Sequence, residues 1–543
     1  MFSKIWSKLY EKSLLTEINF SRFMISLMCI LGIVYFFTIL QNYNNSFVHA
    51  DYYRYILPES LRDGLEVCWQ DVINTLQLRS PGEFRPRFLA YGIQTLDQKL
   101  RLYLYHYFPV HPTVAPIAWF LQLVIGPYYL FKGVLNLTQR RQAAIIAVIV
   151  YCTSIGFLSG FTMGLLQGKP LANVIFILSF YLMTVINNKM ESGKLLYKSS
   201  GIDKYILLSV IFFGLFVDEI PMFVFVLLPL MFASRFFIKL NSANNIKSFL
   251  INGMFFCIPA FLFLTVVLLI VPPLTIKYFG FEFDYLGNTL ALGANTRGAV
   301  SIFQGPYASF SFMLVLKNFM TMFGLSLVPR QISQLTLSGY GDYYGGQVNN
   351  LAKILIFVFF FGSIGILTRY EKNLKQIFIG FLIAFGLFML FLSLLLVRHI
   401  PIATGYYYGT PFAVLFAILI ALYHSATFKF SKMVRLTSMT VILLIIMVQI
   451  DNFIPINRGW IKTHNEDIAR PSFANKFSLA PPGPVSKTEL KNIWKSWKKG
   501  ELEKYLAENA LSSGAIYLVF ELKMLDQVKQ YGFAKPMDWS SVT

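Results

Sequence analysis

Apolar residues in this chain fall into long uninterrupted runs rather than alternating with polar ones, and the runs approach the length of a membrane-spanning helix. They lie near 23–40, 114–135, 143–166, 171–187, 205–233, 248–272, 351–368, 377–397, 406–423 and 436–450. The run at 205–233 is interrupted by Asp218-Glu219-Ile220-Pro221; it is too long for one span and reads as two short or tilted helices meeting at that turn. Lysines and arginines gather in alternate short gaps, at Arg140-Arg141, Lys189 to Lys198, Arg369 to Lys375 and Lys429 to Arg435. Scored by the positive-inside rule, this pattern predicts about eleven spans with the N-terminus inside.

The expected fold class is therefore an all-α polytopic integral membrane protein. Residues 1–22 form a cytoplasmic basic amphipathic segment, with Lys4, Lys8 and Lys12 at helical spacing. The run at 23–40 lacks a small-residue cleavage site and reads as a signal anchor. Residues 23–450 make the transmembrane domain, with long external loops at 41–113 and 273–350, and 451–543 make an external C-terminal domain.

The loops carry helices of their own. In the first loop, 59–76 is amphipathic, and a second helix rich in Tyr and Leu follows Arg85-Pro86-Arg87-Phe88 over 88–107. The second loop contains an interfacial candidate at 308–327 around Lys317. A proline hinge, Pro481-Pro482-Gly483-Pro484, precedes one or two amphipathic helices over 486–509, with Trp494 and Trp497 at i, i+3.

Composition sharpens this picture. The chain has 543 residues, 56% of them hydrophobic and 14% charged, and a mean hydropathy of +0.57. The net charge of +20 would suggest nucleic acid in a soluble protein. Here the basic residues sit in the loops expected to face the cytoplasm, so no nucleic-acid partner is expected. Of the four cysteines, Cys29, Cys152 and Cys257 fall in predicted helices and Cys68 in a loop, and no intramolecular disulfide is expected.

Candidate chemistry is concentrated at charged positions beside the apolar runs. Asp51 follows the first span in His49-Ala50-Asp51-Tyr52-Tyr53-Arg54, where a carboxylate at the membrane surface can act as a general base; a helix cap, or pairing with Arg54, is the alternative. Arg85 and Arg87 flank a proline and could present paired guanidinium groups to a phosphate, or grip anionic lipid. Asp218 and Glu219 are costly within an apolar stretch unless they find water, a divalent metal, an acceptor or a basic partner. Arg398-His399 leaves the ninth span, where an arginine can snorkel or neutralise phosphate. Phosphate-loop, dinucleotide, nucleophile-elbow and HExxH patterns are missing, so no cofactor is assigned and a divalent metal stays open.

This order of features resembles the GT-C superfamily of lipid-linked sugar transferases. That superfamily includes protein O-mannosyltransferases, aminoarabinose transferases and oligosaccharyltransferase catalytic subunits. The resemblance is architectural: a signal-anchor helix, an acidic residue, a long external loop with two juxtamembrane helices, a later external loop and an external C-terminal domain. It implies that Asp51 is the catalytic carboxylate of the first loop. Arg85 and Arg87, or Arg398, would then hold the donor phosphate. The partners it implies are a polyprenyl-phosphate lipid donor, a saccharide, lipid or protein acceptor, and membrane lipids. One feature departs from the family: Asp51 is followed by Tyr52, and the adjacent acidic pair lies instead at Asp218-Glu219. Three other readings compete: a transporter or flippase built on the broken helix at 218–221, a noncatalytic membrane scaffold, and an O-antigen ligase- or polymerase-like transferase that relies on Arg398 and His399 more than on Asp51.

Overall fold

The structure, a computed structural model, describes residues 87–110, 115–154, 168–189, 201–218, 243–280, 350–370, 410–449 and 486–532, less a few positions within these ranges. Isolated residues at 22–33, 61–65, 157 and 378–383 are also described. Every regular element among the described residues is a helix, in agreement with the all-α expectation.

Helix α1 is Phe88–Leu104. It leads to α2, Pro116–Thr138, which is long and apolar enough to cross a membrane. A tight turn at Gln139 reverses the chain into α3, Arg141–Cys152. Helix α4, Gly168–Lys189, and α5, Asp203–Leu215, follow. Helix α6 runs without interruption through Ala243–Thr265, Val266–Ile270 and Val271–Phe279. Its segment Gly253–Tyr278 also has the length and apolarity to cross a membrane. Then come α7, Asn350–Tyr370, α8, Thr410–Thr427, and α9, Met433–Gln449. The C-terminal part contributes α10, Lys487–Lys498, α11, Leu502–Glu508, and α12, Ser513–Tyr531.

Three details differ from the run-by-run expectation. The predicted span at 143–166 does not continue unbroken, because α3 ends at Thr153-Ser154. There the Thr153 N–H donates to the Ile149 carbonyl, and the Ser154 hydroxyl donates to that of Tyr151. The Ser154 oxygen then accepts the N–H of Phe157. Helix α6 extends past 272, where the second long loop was expected to begin. Pro272 and Pro273 are absorbed because one π turn, Val266–Ile270, widens the helix just before them. Pro127 of α2 is accommodated in the same way by a π turn at Leu121–Ile125. A proline cannot donate to the carbonyl four residues back and presses on it, and the wider turn removes the clash. The third difference is α12, a helix beyond the one or two expected over 486–509.

The main core packs α2, α3, α4, α8 and α9 around Val134, Ile146, Phe176, Phe180, Leu419 and Ile442. Helices α2 and α4 run parallel. Gly126 of α2 lies beside Val174 and Ile177, and Gly133 beside Phe180 and Tyr181. One further turn on, the Asn136 amide donates to the Thr184 hydroxyl. A Cβ on Gly133 would come within 2.6 Å of the Phe180 ring, so the glycine is what lets these two backbones approach.

The bundle has two chemically distinct ends. At one end Arg140 stacks on the Phe428 ring at 4.2 Å with Arg435 at 5.5 Å, and Lys189 pairs with Asp203 at 2.5 Å. At the other end the Thr153 hydroxyl donates to Gln449 Oε1 at 2.7 Å, joining the ends of α3 and α9. Basic loops that are far apart in sequence thus gather at one end, while α1 and the C-terminal helices belong to the other.

Candidate functional site

Helix α1 is amphipathic with its faces reversed from the usual soluble arrangement. Leu89, Leu96, Leu100, Tyr103 and Tyr107 are exposed on one side. Gln94, Thr95, Asp97, Gln98, Lys99 and Arg101 are buried on the other. Positions 87, 91, 94, 98, 101 and 105 follow the three- and four-residue spacing of a single helical face. That face is polar, and it lies where three apolar clusters meet. Ala90 belongs to the main core, Tyr91 to a cluster with Leu215, Phe216 and Phe263, and Leu102 and Tyr105 to the core of the C-terminal helices.

The N-terminal end of α1 is fastened to the end of α5. The Leu89 N–H donates to the Phe216 carbonyl at 3.2 Å, and the Phe88 and Phe216 rings lie 6.1 Å apart. This contact brings Arg87 to Asp218, with Nη2 to Oδ2 at 3.3 Å. The Asp218 side chain is 1% exposed and that of Arg87 is 23% exposed. Asp218 therefore has a basic partner, one of the roles its placement in an apolar stretch suggested. The carboxylate fixes the direction in which the guanidinium points.

The middle of α1 is tied to the start of α2. The Asp97 carboxylate accepts the Ile117 N–H at 2.6 Å and the Ala118 N–H at 3.1 Å. These are unpaired donors of the first turn of α2, and the helix dipole there favours a negative charge. Burial nonetheless pushes the Asp97 carboxyl up from 3.8 to about 6, against the pull of the two N–H groups and of Arg101. The folded state then holds its proton more tightly than the unfolded chain, so this group's contribution to stability falls as pH rises from about 4 to 6 and is flat above. The shift corresponds to roughly 3 kcal/mol. Thermal melts across that window are expected to show a decline in wild type that Asp97→Asn lacks.

At the far end, Arg101 Nη2 meets Glu521 Oε1 at 2.5 Å, with the two side chains 3% and 0% exposed. The Tyr105 hydroxyl donates to the other oxygen of Glu521 at 2.8 Å. The Trp494 indole N–H donates to the Tyr105 carbonyl at 2.8 Å, and that of Trp497 to Asp526 at 2.8 Å. Ser486 accepts the Glu489 N–H and so starts α10 in register for these contacts. Helix α1 and the C-terminal helices are thereby one packed unit.

Of the residues singled out in the sequence, the structure joins Arg87 to Asp218. Asp51, Arg54, Arg85, Glu219, Arg398 and His399 lie outside the described residues. No three His, Cys, Asp or Glu side chains converge as metal ligands among the described residues. Sequence reasoning passed over Asp97, Gln98, Arg101 and Glu521. Two signals for them were present: a lone glutamate inside the apolar run from Ala515 to Leu525, and an Asp97–Arg101 pair spaced i, i+4. Set against protein-family models, curated proteins and solved structures, the chain matches none of them.

Proposed function

We propose that the chain is a polytopic membrane glycosyltransferase of the GT-C kind. It moves a sugar from a polyprenyl-phosphate donor to an acceptor on the external face of the membrane, with about eleven spans. It resides in a bacterial inner membrane with its C-terminal helices outside. Support for the membrane setting comes from the two long apolar helices and from their outward faces. Phe120, Val124 and Tyr128 of α2, and Met254, Phe261 and Leu269 of α6, are all exposed, an apolar surface that lipid covers better than water. The basic end of the bundle then faces the cytoplasm.

The observation that carries the reading is the Arg87–Asp218 pair. It brings a first-loop arginine to the carboxylate of the interrupted apolar run, at the end of the bundle opposite the basic loops. In this reading Asp218 fixes the guanidinium as the positive charge that the departing donor phosphate meets. In the transfer step the acceptor oxygen bonds to the anomeric carbon while the bond from that carbon to the phosphate oxygen breaks. Phosphate leaves with the electron pair, stabilised by Arg87, and the acceptor proton passes to a carboxylate base. By resemblance that base is Asp51. Deleting the protein from its source cell is expected to raise the pool of polyprenyl-phosphate-linked sugar several-fold by mass spectrometry, with wild type restoring it and Asp218→Asn failing to. An unchanged pool would remove the proposal.

A further inference from the structure

Two arginines from distant parts of the chain fold onto one aromatic ring at the basic end of the bundle. Arg140 stands at the start of α3 and Arg435 near the start of α9, where its N–H donates to the Ser431 carbonyl. Their guanidinium carbons lie 4.2 and 5.5 Å from the centre of the Phe428 ring. The two cations are therefore within roughly 10 Å of each other, about one Debye length at moderate salt, and they repel. The fully buried His424 meets the same ring edge-on at 5.1 Å and holds Phe428 against the bundle.

Among the described residues, no carboxylate lies within ion-pair distance of either guanidinium. The Arg435 Nε is buried with no hydrogen-bond partner. The neighbouring sequence offers no acid: Asp97 is the last before Glu191, and Glu371 the last before Asp451. Asp203, at the same end of the bundle, is already held by Lys189 at 2.5 Å. The helices add to the imbalance. Arg140 is the N-cap of α3 and its side chain supplies no acceptor there. Both arginines thus stand at positive helix ends, where a cation is unfavourable. Orientation in a membrane asks for basic loops, but not for two guanidinium groups on one ring.

An anion supplies what is missing. Arg140, Phe428 and Arg435 are all partly exposed, so a ligand meets them at the surface without entering the packed interior. A carboxylate is planar and fills one guanidinium fork. A phosphate spreads its charge over tetrahedrally arranged oxygens, which can bridge two guanidinium groups and a helix N-terminus at once. We propose that Arg140 and Arg435, set on Phe428, form a phosphate-binding site at the basic end of the bundle. With that end facing the cytoplasm, the site lies at the level of the inner-leaflet headgroups, and its occupant is the phosphodiester of an anionic phospholipid. That source rests on the membrane reading, whereas the phosphate chemistry stands on the two arginines and is independent of sugar transfer. A bound phosphate ties together the ends of α3, α8 and α9.

Thermal melts of the full-length protein in nanodiscs test the site. Discs of phosphatidylcholine alone are compared with discs that also contain phosphatidylglycerol. A third sample has phosphatidylcholine discs in millimolar inorganic phosphate at matched ionic strength. Phosphatidylglycerol is expected to raise the melting temperature of wild type by several degrees. Native mass spectrometry should show its apparent affinity about tenfold lower in Arg140→Gln and in Arg435→Gln, the loss of one charge-assisted contact. In phosphatidylcholine alone both variants should melt at or above wild type, because the repulsion is relieved. Arg141→Gln removes the same charge one residue away and should keep the full response. A response to phosphatidylglycerol alone assigns the site to lipid, and one to inorganic phosphate assigns it to a soluble phosphate compound; both support the site. Inorganic phosphate acting without phosphatidylglycerol would count against the inner-leaflet placement and leave the site standing. No response to either overturns it, as does a response that Arg140→Gln and Arg435→Gln retain. An equal loss in Arg141→Gln also overturns it, because general surface charge would then explain the effect. So does destabilisation of both variants in phosphatidylcholine alone, since stacking on Phe428 would then be their role.

Discussion

Replacing Arg87 with alanine is expected to lower donor turnover by about 10²- to 10³-fold while the chain remains folded. The expectation follows from what the guanidinium does in the proposed step. Charge grows on the departing phosphate, and a fixed cation beside it stabilises the transition state more than the bound donor. Arg87→Lys should recover only part of the rate, since an ammonium group lacks the planar fork whose direction Asp218 fixes. A structural role must be separated from this one. Removing one partner of a buried ion pair costs roughly 3–5 kcal/mol, and the 23% exposure of Arg87 puts this pair toward the lower end. The double variant Arg87→Met with Asp218→Leu removes both charges and should restore most of the stability. Its turnover should stay as low as that of Arg87→Ala. If the double variant regains activity along with its melting temperature, the pair only holds α1 to α5.

The second large effect is expected at Glu521. Its carboxylate is fully buried and bound by Arg101 and the Tyr105 hydroxyl. Glu521→Ala strands a guanidinium that is 3% exposed together with a phenol, and should cost about 3–5 kcal/mol. The damage should be local. The C-terminal core packs against α1 through Leu102 and Tyr105, so α10, α11 and α12 should become sensitive to protease while the main bundle keeps its resistance. Arg101→Met with Glu521→Leu should recover the protection, because an apolar pair of similar volume replaces a charge pair that is costly to bury. Persistent sensitivity in the double variant would show that the network is needed for more than the pairing of its two charges.

Much of this architecture is legible in the sequence because it is written in local spacing. The second first-loop helix, expected over 88–107, is found as Phe88–Leu104. Trp494 and Trp497 at i, i+3 do share the face that packs against α1 and α12. The gathering of Arg140, Phe428 and Arg435 at one end follows from the alternation of basic loops. The break at Asp218 ends α5 as its charge demands.

What was not legible is non-local. Periodicity locates the two faces of α1 but does not say which is buried, and in this chain Leu89, Leu96 and Leu100 are outside and Gln94 and Gln98 inside. Glu521 and Arg101 are 420 residues apart, so neither predicts the other. The π turns before Pro127 and Pro272 leave no mark in composition, since they relieve a clash that exists only once the helix has formed. Asp97 reads as an ordinary surface acid until α2 starts beside it.

The most direct measurement follows the donor itself. Purified protein in nanodiscs is incubated with lipid extracted from the source membranes, and polyprenyl phosphates are quantified over time by mass spectrometry. The transferase account predicts that sugar-linked polyprenyl phosphate falls while bare polyprenyl phosphate rises in equal amount, and that Arg87→Ala slows both. Lipid-linked sugar that stays chemically intact and only changes leaflet would contradict it and establish transport instead.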